Sequence, residues 1–149
     1  MRFVHESLIG APLEQVFAFH ERPEALARLI PPWEKVEVLQ PPTSLQPGTR
    51  VLLRMHLGPL RLIWEAEHTR YERNVLFQDV QRRGPFARWE HTHSFKEAPG
   101  GTLLRDEVEY ALPLGPLGAL FGGALVRRKL ERMFAFRHQA TRDALLGPA

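Results

Sequence analysis

The sequence contains no cysteine. That excludes disulfides, thiol catalysis and cysteine-ligated zinc together, and it fits a reducing, cytoplasmic location. Any metal would have to rest on histidine and carboxylate, and neither metal nor cofactor is assigned from the sequence. Lysine is scarce: three stand against 17 arginines, and the formal charge is only +3. The high pI therefore reflects no long basic run, and nothing demands nucleic acid as a partner. MRFVHESLIG lacks the charged start and long apolar stretch of a signal peptide. No apolar run is long enough for a transmembrane segment. There is no glycine-rich phosphate loop, no serine placed to act as a nucleophile, no internal repeat and no low-complexity segment. What is there, 149 residues at 44% hydrophobic content, suffices for one sizeable core and a single domain over residues 1–149.

The periodicity changes along the chain. Phe3 to Ile9 reads as a strand. Pro12 and the following LEQVFAFHERPEALARLIPP read as two short helices, broken at Arg22-Pro23 and ended at Pro31-Pro32. A period of two then sets in, with strand-like runs at about 34–40, 50–57, 60–71, 75–83, 86–97 and 102–112. Turn signals separate them: PPTSLQPG, Gly58-Pro59, Arg73-Asn74, Gly84-Pro85 and Pro99-Gly100. From about Leu117 to Leu146 the apolar positions Leu120, Phe121, Ala124, Leu125, Leu130, Met133 and Phe134 recur at helical spacing. Strand, two helices, six antiparallel strands and a long helix is an α+β order, the helix-grip plan, in which a curved seven-stranded sheet wraps the last helix.

APLEQVFAF near the start, RGPFARWEHTHSF, DEVEYALPLGPLG and the RRKLERMFAFRH helix also resemble a known family across nearly the whole chain. They are similar to the START-like (SRPBCC) superfamily, in the branch named after polyketide cyclases and dehydrases. The resemblance implies a domain that holds a lipid, polyketide or other apolar molecule between sheet and helix. Some such proteins are enzymes, and some relatives occur joined to or beside nucleotide-dependent oxidoreductases, which implies an accessory role as an alternative.

Turn arithmetic predicts which side chains share the concave face. A two-residue turn at Gly58-Pro59 pairs Leu57 with Leu60, Met55 with Leu62, Leu53 with Trp64 and Val51 with Ala66, all eight on the core side. A turn at Arg73-Asn74 sets Arg70 opposite Phe77, His68 opposite Asp79 and Ala66 opposite Gln81. A connection around Gly84 sets Gln81 opposite Trp89, Asp79 opposite His91 and Phe77 opposite His93. Pro99-Gly100 sets Phe95 opposite Leu104, His93 opposite Asp106, His91 opposite Val108 and Trp89 opposite Tyr110. His68, Asp79, His91, His93 and Asp106 then share one face, rimmed by Trp64, Phe77, Trp89, Phe95 and Tyr110.

Burying so many ionisable groups is costly unless each is paired, and aspartate-to-histidine hydrogen bonds supply the pairing. Three readings follow. The histidines are satisfied inside a packed core; or they orient an apolar ligand with a polar tip in a cavity; or they form an acid–base or metal site, with His91, His93, Asp79 and Asp106 as the catalytic candidates. In the enzyme version a histidine held by an aspartate acts on an enolisable, ketide-like substrate. His-x-His could also present two imidazoles to one ion, with His68 or Asp79 as third ligand. For ligand binding the candidates are Trp64, His68, Phe77, Gln81, Trp89, Phe95, Tyr110, Phe121, Met133 and Phe134. Arg137 and His138 are expected in solvent, and Gly122-Gly123 invite either close packing or a bendable lid. A homodimer or a protein partner is left open.

Overall fold

A computed structural model describes residues 1–148. The elements run β1 (Arg2–Ile9), α1 (Leu13–Glu21), α2 (Ala25–Arg28), β2 (Val36–Gln40), β3 (Arg50–Leu57), β4 (Leu60–Glu72), β5 (Leu76–Arg83), β6 (Arg88–Ala98), β7 (Gly101–Ala111) and α3 (Gly115–Leu146). All seven strands form one antiparallel sheet in the order β1-β7-β6-β5-β4-β3-β2. The last six strands are a meander of hairpins, and β1 closes it by pairing along β7. This is the helix-grip fold that the periodicity predicts.

Each local choice has a physical cause. α1 stops at Glu21 because Arg22 precedes Pro23 and is held extended, with ψ at 142°. The β3–β4 turn uses Gly58 at φ 59°, the positive value that a two-residue hairpin needs at its first position. The chain's one asparagine, Asn74, sits at φ 60° between β4 and β5, where few other side chains are tolerated. At the β6–β7 turn Gly101 has φ 148°, and a Cβ there would lie 2.0 Å from the Ile9 carbonyl oxygen. Gly101→Ala should therefore cost about 2 kcal/mol in urea denaturation, since both strain and a backbone clash oppose the methyl group. A loss within about 0.3 kcal/mol would show that β1 and β7 separate freely at that end.

The β3–β4 and β6–β7 ladders have the expected registers, including Leu53 opposite Trp64, His93 opposite Asp106 and Trp89 opposite Tyr110. Between β4 and β5, His68 faces Asp79 and Ala66 faces Gln81 as expected, but a bulge between His68 and Arg70 shifts the outer end. Tyr71, not Arg70, faces Phe77. The extra residue turns the arginine out to solvent and lets Tyr71 pack on Phe17, ring to ring at 5.7 Å. The β5–β6 ladder ends at Val80 opposite Glu90, so Gln81 and Trp89 do not pair.

Two apolar clusters lie on the concave side. One, beneath α3, contains Phe3, Val51, Trp64, Ala66, Trp89, Val108, Tyr110, Leu130 and Phe134. The other, beneath α1, contains Ile9, Val16, Phe17, Phe77, Phe95 and Leu104. On the convex side arginines and glutamates pair across strands, as in Arg2–Glu107, Arg82–Glu67 and Arg88–Glu109. Such exposed pairs add little stability.

α3 docks unevenly. Its buried residues, Leu130, Phe134, His138 and Thr141, all lie from the middle of the helix onward, and it packs mainly against β1, with α1 and β7 after it. The expected apolar face over Leu120, Phe121 and Leu125 is in solvent instead, with Phe121 82% exposed. The reason is geometric: the helix leaves β7 through the Pro113–Leu114 turn and meets the sheet only further along. Leu57 and Leu60, expected on the core side, are also exposed, since they flank the β3–β4 turn, where Leu57 and Gly58 border an outer hollow shared with Lys129 and Arg132 of α3. Among the described residues no helix is long and apolar enough to cross a membrane.

Candidate functional site

β6 and β7 alternate strictly, so every second side chain points to the concave face. That alternation delivers Trp89, His91, His93 and Phe95 from one strand and Leu104, Asp106, Val108 and Tyr110 from the next. Asp79 on β5 and His68 on β4 join them. All five expected polar residues therefore come together, in a belt between the two apolar clusters. His93 stacks on Phe77 with centroids 4.0 Å apart on one side, and His91 meets Phe134 edge-on at 5.1 Å on the other.

Asp106 is the centre. Its Oδ2 accepts from His138 Nε2 at 2.6 Å and its Oδ1 from His91 Nε2 at 2.7 Å, while His93 Nδ1 lies 2.9 Å from the same Oδ1. Beyond His138, Ser7 on β1 bonds to the other ring nitrogen. On the opposite side His93 Nε2 stands 3.3 Å from Asp79 Oδ2, and His91 Nδ1 stands 3.9 Å from the same oxygen. Asp79, His91 and His93 thus bring one carboxylate oxygen and two imidazole nitrogens within 4.8 Å of one another, a set able to hold a metal ion.

The electrostatics sort these groups. Burial pushes His91 and His68 toward the neutral form, and it lowers His20 to about 4. His93 goes the other way: burial opposes its charge, but Asp106 and Asp79 outweigh it and raise the pKa. Burial likewise works against ionised Asp106, yet His93, His138 and His91 hold it well below the usual carboxylate range. Asp79 is lowered against the same penalty by His93 and His91. The belt therefore sets two carboxylates around His93, the imidazole whose charge they favour, while burial disfavours charge on His91 and His68.

The other expected site residues divide. Trp64, Trp89, Tyr110 and Phe134 are buried in the cluster beneath α3, where Met133 packs partly buried against them. Phe77 and Phe95 belong to the cluster beneath α1. The Gln81 amide is taken up by the β5–β6 turn, donating to the Phe86 carbonyl at 2.8 Å and accepting from the Phe86 N–H at 3.2 Å. Phe121 faces no interior. It lines an outer hollow of about 550 Å3 with Leu112, Pro113, Leu114, Leu117, Gly118, Gly122 and Val126.

His138, expected in solvent, is 1% exposed and part of the belt. Its signal was present, since it continues the Leu130, Phe134 stripe at intervals of four. Arg137 is half-buried rather than free, its Nε donating to the Leu29 carbonyl at 3.2 Å and its guanidinium 5.3 Å from the Phe134 ring centre. His20, also not anticipated, lies buried against Phe95, its Nδ1 bonded to the Val16 carbonyl at 2.8 Å.

Comparison with known proteins agrees with this architecture. The chain is similar in structure to TTHA0849 from Thermus thermophilus, at 21% identity and TM-score 0.72, covering 97% of this chain and 99% of that one. It is similar to Ara h 8.0201 at 13% identity and TM-score 0.73, covering 99% of both. A nucleoside-diphosphate sugar epimerase from Corynebacterium glutamicum matches at 27% identity and TM-score 0.72, over 96% of this chain but only 29% of that longer one. No curated protein matches. The family model described as polyketide cyclase / dehydrase and lipid transport matches residues 9–136. That span runs from the end of β1 well into α3, so the chain belongs to the polyketide cyclase / dehydrase and lipid transport family.

Proposed function

We propose that the protein binds a hydrophobic small molecule, lipid-, polyketide- or aromatic-like, between the sheet and α3. One observation carries this reading. The apolar hollow at the start of α3 shares two walls, Leu112 and Val126, with the cluster built on Trp64, Trp89, Tyr110 and Phe134. Its volume of about 550 Å3 falls within the range of small-molecule sites. A ligand seated there would lie on Leu112 and Val126, and an opening of this wall would lead to the aromatic cluster and the His–Asp belt. His91 or His93 would then read a polar group, or act with Asp79 and Asp106 as the acid–base pair of a cyclase or dehydratase.

A second reading, an accessory partner of another protein, is favoured by the exposure of Leu114, Leu117, Leu120, Phe121 and Leu125 on one side of the molecule. The resemblance to one part of a longer epimerase chain supports it as well.

Titration with a fluorescent fatty-acid analogue separates the two. The wild type should bind with a Kd in the micromolar range. Val126→Trp, which fills the shared wall, and Trp89→Ala should each weaken binding at least about tenfold, or about 1.4 kcal/mol. Circular dichroism first confirms that each variant folds. If the wild type binds no apolar probe at micromolar concentration, the accessory reading takes over.

A further inference from the structure

We propose that Asp79, His91 and His93 form a binding site for a divalent first-row transition-metal ion. The sequence alone led to no metal assignment, because His-x-His on a strand is a weak signal and left the third ligand open between His68 and Asp79. Three features of the tertiary arrangement now point to one.

The first is the donor set. Two imidazole nitrogens and one carboxylate oxygen, from two neighbouring strands, lie within 4.8 Å of one another, a separation that small side-chain shifts close onto a single ion. With no cysteine in the chain, such a set suits zinc or another imidazole-preferring ion.

The second feature is what stands behind the ligands. A metal-bound histidine is usually held on its other nitrogen by a carboxylate, which fixes the ring and its tautomer. Asp106 does this for both rings, at 2.7 Å from His91 Nε2 and 2.9 Å from His93 Nδ1. Asp106 is itself steadied by His138 at 2.6 Å. The nitrogens that remain, His91 Nδ1 and His93 Nε2, are the two nearest Asp79 Oδ2. With Nδ1–H given to Asp106, His93 can offer Nε2 as a lone-pair donor, the neutral form that a ligating imidazole takes.

The third is an orphan. His68 is 5% exposed and sits opposite Asp79 in the β4–β5 ladder, yet its Nδ1 has no hydrogen-bond partner among the described residues. A buried unpaired nitrogen calls for a water or an ion beside it. A water on the metal would donate to His68 Nδ1. The side chains of Asp79 and His93 keep 17% and 12% of their exposure, so the ligands remain approachable.

The test uses the full chain after chelator treatment, titrated with Zn2+. One ion per chain should bind with a Kd of micromolar or tighter, and a hundredfold excess over Kd should raise Tm by about 5–10 °C. Asp79→Asn and His93→Gln should each weaken binding at least about tenfold, whereas the outlying His56→Gln should not. Absorption spectroscopy at the zinc edge should count at least two imidazoles on the wild-type ion, a readout that needs no variant to fold. Absence of stoichiometric binding at about 0.1 mM Zn2+, roughly a hundredfold above a micromolar Kd, would overturn the proposal. So would an ion carrying fewer than two imidazoles, or one whose affinity survives loss of Asp79 and His93.

Discussion

Asp106→Ala is expected to lower the free energy of unfolding by about 3–5 kcal/mol, the scale seen when one partner of a buried charge pair is removed. Asp106 is buried and holds three imidazoles at 2.6, 2.7 and 2.9 Å. Without it, His93 keeps only Asp79 at 3.3 Å, and His138 loses the acceptor of its Nε2 hydrogen. Asp106→Asn should cost less, because the amide preserves the volume and one acceptor while losing the charge. Urea denaturation at neutral pH measures both. An alanine variant within about 1 kcal/mol of the wild type would mean that the belt is a loose, hydrated cluster rather than a paired network.

The second large effect is on pH dependence. His20, on α1, lies among Phe19, Phe77 and Phe95, facing His93 from β6, with Asp106 from β7 and His138 from α3 also acting on its charge. Its folded pKa is lowered from 6.5 to about 4 by burial. The unfolded chain therefore binds a proton at this site at higher pH than the folded one does. Stability from His20 is complete above pH 6.5 and falls as the pH drops toward 4, by about 3 kcal/mol at the lower limit. His91 and His68 are lowered too and add to the same trend, whereas His93, raised by its carboxylates, opposes it. The difference between wild type and His20→Leu isolates the one residue. That difference should shrink, or reverse in favour of leucine, by about 3 kcal/mol between pH 7 and pH 4. Asp79 and Asp106, whose pKa values are lowered, lose their contribution only at lower pH, so the two effects separate. A difference independent of pH would show that His20 reaches solvent in the folded protein.

Much of this site was legible in the order of residues. WEHTHSF and LLRDEVEY alternate with a period of two, and the turns at Gly58-Pro59, Asn74 and Pro99-Gly100 allow only a narrow choice of hairpin length. Register followed, and with it the meeting of His93 with Asp106 and of His68 with Asp79. A slip of one residue would have put the whole polar set on the convex face. The bulge at His68–Arg70 was not legible, because nothing in the turn chemistry marks an extra residue within the strand.

The sequence by itself therefore determined the strands, the pairing of consecutive strands through their hairpins and the shared face of His68, Asp79, His91, His93 and Asp106, since these depend on local backbone geometry and a strict alternation. Only the tertiary structure decided how α3 lies across that face. A helical period names a stripe but not the stretch of it that finds a partner. Packing on β1, α1 and β7 chose Leu130 to Thr141, which brought His138 and Ser7 to Asp106 and left Phe121 outside. The same docking, with two aspartates held between imidazoles from separate strands and the helix, decided that the centre is a paired, low-dielectric network rather than five isolated polar side chains.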